Sequence, residues 1–285
     1  MKNIKKYLKT YIIFLLVILN VIIFYSLSYT SGAILTVAFL DVGQGDAIFI
    51  KTPDGHQMLV DGGPNNSVLR ELGKVMPFYD RSIDVVLATH ADQDHIGGLV
   101  EVLKRYKVGL FIETNTTSTS AVYSELENLL KEKEIKKEII VAPKTLELGF
   151  HVKFDILFPN QNTAGWETND SSIIGKLIYG DSSFLLTGDS PLAVEKYVVG
   201  KYGKFLNSDV LKVGHHGSKN SSSELFIGMV SPTYSIISAG LNNRYGHPAP
   251  EAMEILSRLG GQILKTLGQG SIVFSSDGQN LVLIK

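Results

Sequence analysis

The chain has 285 residues, 44% of them hydrophobic, and a formal net charge of -1. This length allows one large domain with a substantial core, and the near-neutral charge provides no global basic field for nucleic acid. No cysteine is present, which excludes disulfides, iron–sulfur clusters and thiolate metal sites. Any metal ligands must therefore be histidines or carboxylates.

The N-terminal segment, residues 1–33, differs in composition from the rest of the chain. Four lysines precede an apolar run at residues 11–29, an order typical of a membrane-inserting segment whose lysines stay on the cytoplasmic side. The run approaches the ~20 residues that span a bilayer, although the small residues at 31–33 would also suit signal-peptide cleavage. We expect an uncleaved anchor or, alternatively, a signal peptide, followed by an exported domain at residues 34–285.

After this segment, short strands joined by Gly and Asp turns are predicted at 34–40, 46–51 and 57–60, with residues 53–55 as a hairpin turn. A helix at 67–76, a strand at 83–88, a helix at 98–104, a strand at 108–112 and a helix at 121–133 follow. The second half has strands at 152–157, 172–179 and 183–186, a helix at 192–199, further elements at 210–213, 222–229 and 234–238, a helix at 250–259, and final strands near 263, 271–274 and 281–284. Two strand-rich halves, each with helices, predict a four-layer αββα sandwich.

A dense group of potential metal ligands directly follows the apolar run at 83–88. It consists of His90, Asp92, Asp94 and His95. Four such groups in six positions repel one another or remain solvated unless a cation binds them. A polar surface loop of accidental composition is the alternative, but the apolar strand before the group and the glycine pair after it favour a metal site.

Further candidates stand where predicted strands end, the position at which open α/β sheets place their sites. Asp61 and Asp189 each close an apolar strand beside glycine, His215 and His216 follow another strand, and His247 precedes a helix. A lone aspartate at a strand end often only caps a turn, and paired histidines can merely satisfy backbone groups. Their coincidence with the ligand group above predicts a common site.

Five segments in order resemble the metallo-β-lactamase-type domain of the ComEC family of DNA-uptake proteins. The segments are 39–47, 90–98, 186–190, 212–218 and 245–248, and the similarity extends from about Leu35 to Ile284. The resemblance implies an αββα hydrolase fold. Because only one membrane segment is present, we expect a stand-alone hydrolase domain rather than a channel.

The resemblance also implies two divalent cations. His90 and Asp92 would face one cation, Asp94 and His95 the other, and Asp189 would bridge them. Asp61 matches a supporting aspartate that orients the first ligands, and Asp41 is a second candidate for such support. Of His215, His216 and His247, one would lie near the chemistry and another on metal, and their order is left open.

Two departures from the wider superfamily bear on the metal. Asp92 stands where most relatives carry histidine, and no histidine lies between His151 and Asp189, where residues 169–172 occupy the position of another ligand. Replacing imidazole nitrogen by carboxylate oxygen hardens a site, so Mn²⁺ competes with Zn²⁺, and Mg²⁺ is a further candidate. We expect activation by Mn²⁺.

The expected chemistry is hydrolysis of a phosphodiester by a metal-activated water, with extracellular DNA as the substrate. Asp94 would orient the water or accept its proton, and His216, or else His215, would protonate the leaving group. Lys212 and Ser218 would contact a phosphate. Two alternatives stand: hydrolysis of a small ester, lactone, lactam or cyclic phosphate, and a metal-containing surface binding module without turnover.

Overall fold

The computed structural model describes residues 2–30, 33–241 and 243–285. Within them the strands are β1 Leu35–Phe39, β2 Ile48–Lys51, β3 Gln57–Val60, β4 Ser82–Leu87, β5 Lys107–Thr114, β6 Lys136–Ile140, β7 Lys144–Gly149, β8 Val152–Phe158, β9 Ile174–Tyr179, β10 Ser182–Leu186, β11 Val210–Lys212, β12 Tyr234–Ile237, β13 Gln262–Lys265, β14 Ile272–Ser276 and β15 Leu281–Leu283. The helices are α1 Lys2–Thr30, α2 Ser67–Val75, α3 Gln93–Arg105, α4 Ala121–Glu132, α5 Leu192–Tyr202, α6 Glu224–Val230, α7 Pro250–Leu259 and the short α8 Thr266–Gln269.

The strands form two mixed sheets. The first has the order β15-β14-β1-β2-β3-β4-β5-β6 and the second the order β13-β12-β11-β10-β9-β8-β7. The strands from β3 to β6 are parallel, as are those from β10 to β13. Parallel strands end at a common edge, so each sheet gathers several strand-end segments at one side. The predicted hairpin between β2 and β3 is confirmed, with Lys51 opposite Gln57.

Three apolar layers separate the sheets and helices. Phe39 and Phe184 belong to the layer between the two sheets. Leu99 and Leu126 belong to the layer that joins α3 and α4 to the first sheet, and Phe226 to the layer that joins α6 to the second. Because each sheet buries both faces, its central strands are apolar throughout rather than alternating. The predicted αββα sandwich is confirmed.

Two predictions about local structure were wrong. Helix α3 begins at Gln93 rather than at residue 98, so Asp94 and His95 lie in its first turn. Strands β6 and β7 were not predicted, because their lysines and glutamates hide the apolar pattern. Both are edge strands, where charged side chains discourage pairing with other chains.

The N-terminal helix α1 extends over 29 residues, and the side chains of residues 7–23 are exposed. No helix in the described part of the chain combines the length and the apolar character that a membrane span requires. The residues Ser31 and Gly32, at the candidate cleavage position, lie outside the described residues. The division into residues 1–33 and 34–285 remains a prediction.

Candidate metal centre

The strand-end segments of the two sheets meet at one place. The segment after β4 carries His90 and the start of α3, the segment after β10 carries Asp189, and a short 3₁₀ turn, Gly214–Gly217, follows β11. Asp189 lies at the centre, because its carboxylate oxygens are 3.3 Å from His95 Nε2 and 3.4 Å from His216 Nε2. The structure therefore brings together candidates that lie about a hundred residues apart in the chain.

The first half of the site is organised around Asp61. Its carboxylate accepts hydrogen bonds from the Thr89 backbone N–H at 2.8 Å and from the Thr89 hydroxyl at 2.7 Å. It also lies 2.8 Å from His95 Nδ1, which must carry the proton, since an ionised carboxylate only accepts. Nε2 is therefore the ring nitrogen that faces Asp189 and would ligate a cation. Asp61 thus contacts both Thr89 and His95, and its support of a metal ligand stays a prediction.

The Thr89 hydroxyl fixes the second imidazole of this half. Its single proton is donated to Asp61, so at 3.0 Å it accepts the Nδ1–H of His90. His90 Nε2 is thereby free to face Asp92 Oδ2 at 3.6 Å and Asp189 Oδ2 at 4.0 Å. Asp92 is the residue that precedes α3, and its carboxylate makes no capping bond to that helix. The hydrogen-bond network aims both imidazoles in one direction.

The second half of the site depends on an unusual main chain. His215 and His216 have φ values of 47° and 56°, in the left-handed region that side chains with a Cβ rarely adopt. The Ser238 carbonyl accepts the Nδ1–H of His216 at 2.8 Å, which leaves Nε2 to face Asp94 Oδ2 at 3.3 Å. Strained backbone of this kind concentrates at functional sites.

These atoms fit a divalent cation. His90 Nε2, His95 Nε2, His216 Nε2 and Asp189 Oδ1 are buried and have no hydrogen-bond partner among the described residues. Buried polar atoms are costly unless something satisfies them. Asp94, His95, Asp189 and His216 offer ligand atoms within 4.8 Å of one another. Two ligand atoms that share one ion lie about 3.0–3.4 Å apart, which matches the spacings around Asp189.

The electrostatics of the cluster show strong coupling. Burial raises the pKa of Asp189, but His216 and His95 outweigh burial and hold it well below its usual range. Burial lowers the pKa of His95, but Asp189 and Asp61 raise it well above its ordinary value. In the absence of a cation these imidazoles hold protons, and a cation would have to displace them.

Three candidates do not occupy the positions expected of them. Lys212 is fully buried, and its Nζ lies 2.6 Å from Asp46 Oδ2 rather than facing a substrate. Ser218 Oγ accepts the backbone N–H of Asn220 at 3.2 Å, so it closes a turn. The Asp41 carboxylate accepts the N–H of Gly43 at 3.4 Å, within its own loop. The roles assigned to these three side chains therefore need correction.

Asp46 is the functional residue that sequence reasoning missed. It is buried, and its Oδ1 lies 3.4 Å from His216 Nδ1. Burial raises the pKa of Asp46, but the charges of Lys212 and His216 outweigh burial and lower it. The sequence contained one signal for Asp46, the glycine directly before it. In the structure Gly45 has a φ of +129°, and an added Cβ would collide with the Asp94 carbonyl oxygen. The loop that carries Gly45 and Asp46 therefore packs directly against the segment that carries Asp94.

The segment that replaces the missing histidine also lies at the site. The backbone N–H of Asp189 donates to Ser172 Oγ at 3.2 Å, and the Thr168 side chain hydrogen-bonds Asp92. Asn169 Oδ1 is buried without a hydrogen-bond partner in the described structure. Residues 168–172 therefore support two of the expected carboxylate ligands.

His215 and His247 line the outer side of the cluster. His215 Nε2 lies 3.7 Å from Asp189 Oδ2, and its ring centroid is 5.5 Å from that of His247. Both rings are partly exposed, and burial lowers the pKa of each, assisted by neighbouring histidines. His216 is the more buried of the adjacent pair and fits a ligand position, whereas His215 is open to solvent on one side.

Comparison with known proteins places this site in a family. Residues 40–240 match the metallo-beta-lactamase superfamily. ComE operon protein 3 of Bacillus subtilis (strain 168) is 32% identical over 257 residues, which are 84% of this chain and 32% of that protein. Competence protein ComA of Neisseria gonorrhoeae is 29% identical over 242 residues, which are 84% of this chain and 32% of that protein. The chain thus spans about a third of the length of these curated relatives.

A solved structure supports the same fold. Igni18, a metallo hydrolase from the hyperthermophilic archaeon Ignicoccus hospitalis, superposes with a TM-score of 0.54 at 14% identity, covering 84% of this chain and 98% of that one. The family match extends over more than half of the chain and includes the ligand segments from both sheets. The chain therefore belongs to the metallo-beta-lactamase superfamily, and among its relatives are competence proteins.

Proposed function

We propose that this protein is a phosphodiesterase that hydrolyses DNA with the help of two divalent cations. The observation that carries the proposal is the position of Asp189, whose carboxylate lies between imidazoles from both halves of the site. A carboxylate in this place can join two ligand sets, one with His90 and Asp92 and the other with Asp94 and His95. The kinship with a competence protein supports DNA as the substrate.

The exposed fraction of each side chain indicates its role in the reaction. Divalent cations in such a site supply positive charge, which makes water a stronger acid and stabilises the negative charge that develops on phosphate oxygens. The Asp94 side chain is 29% exposed, so it can orient an attacking water and accept its proton. His215, with 26% of its side chain exposed, is placed to hydrogen-bond the leaving oxygen and, when it takes up a proton from solvent, to pass that proton on. His216 is then assigned to the ligand set.

The carboxylate content of the site supports phosphate chemistry with hard ions. Three aspartates, Asp92, Asp94 and Asp189, accompany the imidazoles, and oxygen ligands favour Mn²⁺ or Mg²⁺ relative to a site built from nitrogen alone. We expect Mn²⁺ to restore more activity than Zn²⁺ to chelator-treated protein.

The test uses the full chain, stripped of metal and then supplied separately with Mn²⁺, Mg²⁺ or Zn²⁺. Its substrates are bis-aryl phosphate, single- and double-stranded DNA, RNA, a lactone and a lactam. The proposal predicts phosphodiester hydrolysis that requires metal and is lost in Asp94→Ala. Hydrolysis of the lactam or lactone without any phosphodiester turnover would support the small-substrate alternative, and activity with Zn²⁺ alone would reject the Mn²⁺ preference.

For the N-terminal helix we propose membrane insertion with the hydrolase domain on the outer side. The side chains of residues 7–23 are exposed and apolar apart from a few positions, and the Asn20 amide donates to the Leu16 carbonyl at 2.8 Å. A polar group satisfied inside its own helix is tolerated in lipid. Retention in the membrane pellet after alkaline extraction, with protease access from outside, would support this; full release of the uncleaved chain would reject it.

A further inference from the structure

The loop after β12 presents an arginine and a tyrosine beside the site. The Tyr245 side chain is 54% exposed, and Arg244 is exposed next to it. The Arg244 guanidinium lies over the Tyr245 ring, 4.9 Å from its centroid, and donates to the Tyr245 hydroxyl at 2.7 Å. Exposed aromatic and guanidinium groups at such a position have no role in the fold's apolar layers.

Asn243 fixes the shape of this loop. Its Nδ2 donates to the Gly240 carbonyl at 3.0 Å and to the His247 carbonyl at 2.6 Å. Its Oδ1 accepts the backbone N–H groups of Tyr245 at 3.2 Å and of His247 at 3.0 Å. One side chain thus binds the loop at both ends, so Tyr245 is held in place although it is exposed.

The tyrosine ring continues the row of imidazoles outward from the site. Tyr245 is nearly parallel to His247, with 13° between the planes and 5.9 Å between the centroids. His247 is 5.5 Å from His215, which lies 3.7 Å from Asp189. The Tyr245 ring, in a residue that is 54% exposed, therefore lies one imidazole away from the side chain assigned to the leaving oxygen, and a base would stack on it once the Arg244 guanidinium turns from the ring toward the phosphate.

The charge of Arg244 is available to a ligand. Within the described parts of the chain, no carboxylate oxygen lies within 4.0 Å of its guanidinium nitrogens. Its hydrogen bond to Tyr245, with a smaller attraction from Asp94, raises its pKa, so the group stays cationic. A guanidinium matches the geometry of a phosphate and also stacks on aromatic rings.

We propose that Tyr245 and Arg244 bind the nucleotide next to the scissile phosphodiester, with an unpaired base stacked on the tyrosine ring and the neighbouring phosphate on the guanidinium. This inference rests on the proposed phosphodiesterase function and narrows its substrate class to strands with unpaired bases. A base inside a duplex has both faces covered by its neighbours and cannot use the ring. Stacking of this type accepts any base, because every base has a flat π face.

The test measures binding without turnover, on the full chain in the presence of chelator. Fluorescence anisotropy is recorded with short labelled single-stranded DNA, the matching RNA, the matching duplex and an abasic deoxyribose-phosphate strand of equal length. The wild type should bind both intact single strands more tightly than the abasic strand and the duplex. Tyr245→Ala should remove this preference, an effect of about 5- to 150-fold for one stacked base, and Tyr245→Phe should keep it.

Arg244→Gln should weaken the binding of intact and abasic strands by the same factor. It should also reduce the slope of log affinity against log salt concentration by about one. Tyr79→Ala is the matched control, because Tyr79 is 75% exposed and precedes β4, at the end of that strand opposite the site. Equal wild-type affinity for intact and abasic strands, or an equal loss on both in Tyr245→Ala, would overturn the inference. Since binding is read without catalysis, an inactive protein that keeps the preference would reject the proposed function alone.

Discussion

In the first half of the site, which follows β3 and β4, side chains orient the imidazoles, whereas in the half that follows β11 the main chain does. Asp61 and Thr89 hold His95, in the first turn of α3, and His90, in the loop before it; neither histidine has a positive φ, although Asp61 itself has a φ of 59°. His216 instead takes its orientation from a backbone carbonyl and from a left-handed conformation. We therefore expect substitutions in the first half to change mainly the metal affinity. Substitutions in the second half should change mainly the free energy of unfolding.

The largest effect is expected for Asp46→Asn, because Asp46 contacts Lys212 and His216 of the second half from the loop after β1. The substitution leaves the buried Lys212 ammonium without its carboxylate, and breaking a buried pair from one side costs about 3–5 kcal/mol of unfolding free energy. Urea unfolding of the full chain measures this loss. The double variant Asp46→Asn/Lys212→Met is the control, because it removes the unpaired charge and should recover part of the stability. A single variant as stable as the wild type would contradict the importance of the pair.

The next effect tests the main chain directly. Gly217 has a φ of +82°, and an added Cβ would lie 2.7 Å from Pro248 Cβ. Gly217→Ala should therefore lose about 2–3 kcal/mol, from left-handed strain together with the collision. Gly246→Ala is matched, since Gly246 has a φ of +72° and no atom within 4 Å of the added Cβ. Thermal unfolding should give Gly217→Ala a lower midpoint temperature than Gly246→Ala. Equal midpoints would show that the left-handed backbone strain accounts for the whole loss and that the collision with Pro248 contributes nothing.

In the first half, Asp61→Asn should act mainly on metal. The asparagine amide has one acceptor oxygen where the carboxylate has two, so it cannot accept from all three partners, and His95 loses its fixed orientation. Loss of such a partner typically lowers metal affinity by about 10- to 100-fold. Calorimetric titration with Mn²⁺ measures the change, and Asp41→Asn, which replaces a carboxylate that accepts a hydrogen bond within its own loop, should bind nearly as the wild type does. Unchanged affinity in Asp61→Asn would remove the proposed division between the halves.

The smallest effect concerns a carboxylate that lies outside the cluster. Burial raises the pKa of Glu113 to about 7, although Lys137 partly compensates. Because the folded pKa exceeds that of the unfolded chain, the folded state binds the extra proton, and stability falls as pH rises from 4.5 to 7. Glu113→Gln should gain about 1–2 kcal/mol relative to the wild type between pH 5 and pH 8. Glu132→Gln, an exposed change on α4, should show no such trend in paired melting curves.

The same contrast explains how much could be predicted from the sequence. The first half places its four ligand candidates within six positions, so composition alone indicates a metal site. The second half depends on φ values at His215 and His216, which sequence indicates only through the neighbouring glycines. The pairing of Asp46 with Lys212 was harder still to predict, because it joins the loop after β1 to the last residue of β11, and these approach only in the folded sandwich.

The start of α3 shows a related limit. The sequence predicts a helix that begins only at residue 98, next to Gly97 and Gly98, and glycine is a poor helix former. In the structure both lie inside α3, where an added Cβ would collide with the Pro64 and Gly62 carbonyl oxygens. The glycines permit close approach of the helix to the loop after β3, so tertiary packing overrides local propensity.

The central claim is that the two halves form one metal centre through Asp189. The most direct test is a calorimetric Mn²⁺ titration of the full chain, wild type against Asp189→Asn, with bis-aryl phosphate hydrolysis measured on the same samples. The account predicts two equivalents bound to the wild type, fewer or much weaker equivalents bound to Asp189→Asn, and loss of hydrolysis in the variant. Two equivalents bound to Asp189→Asn with wild-type affinity, or no stoichiometric binding to the wild type, would contradict it.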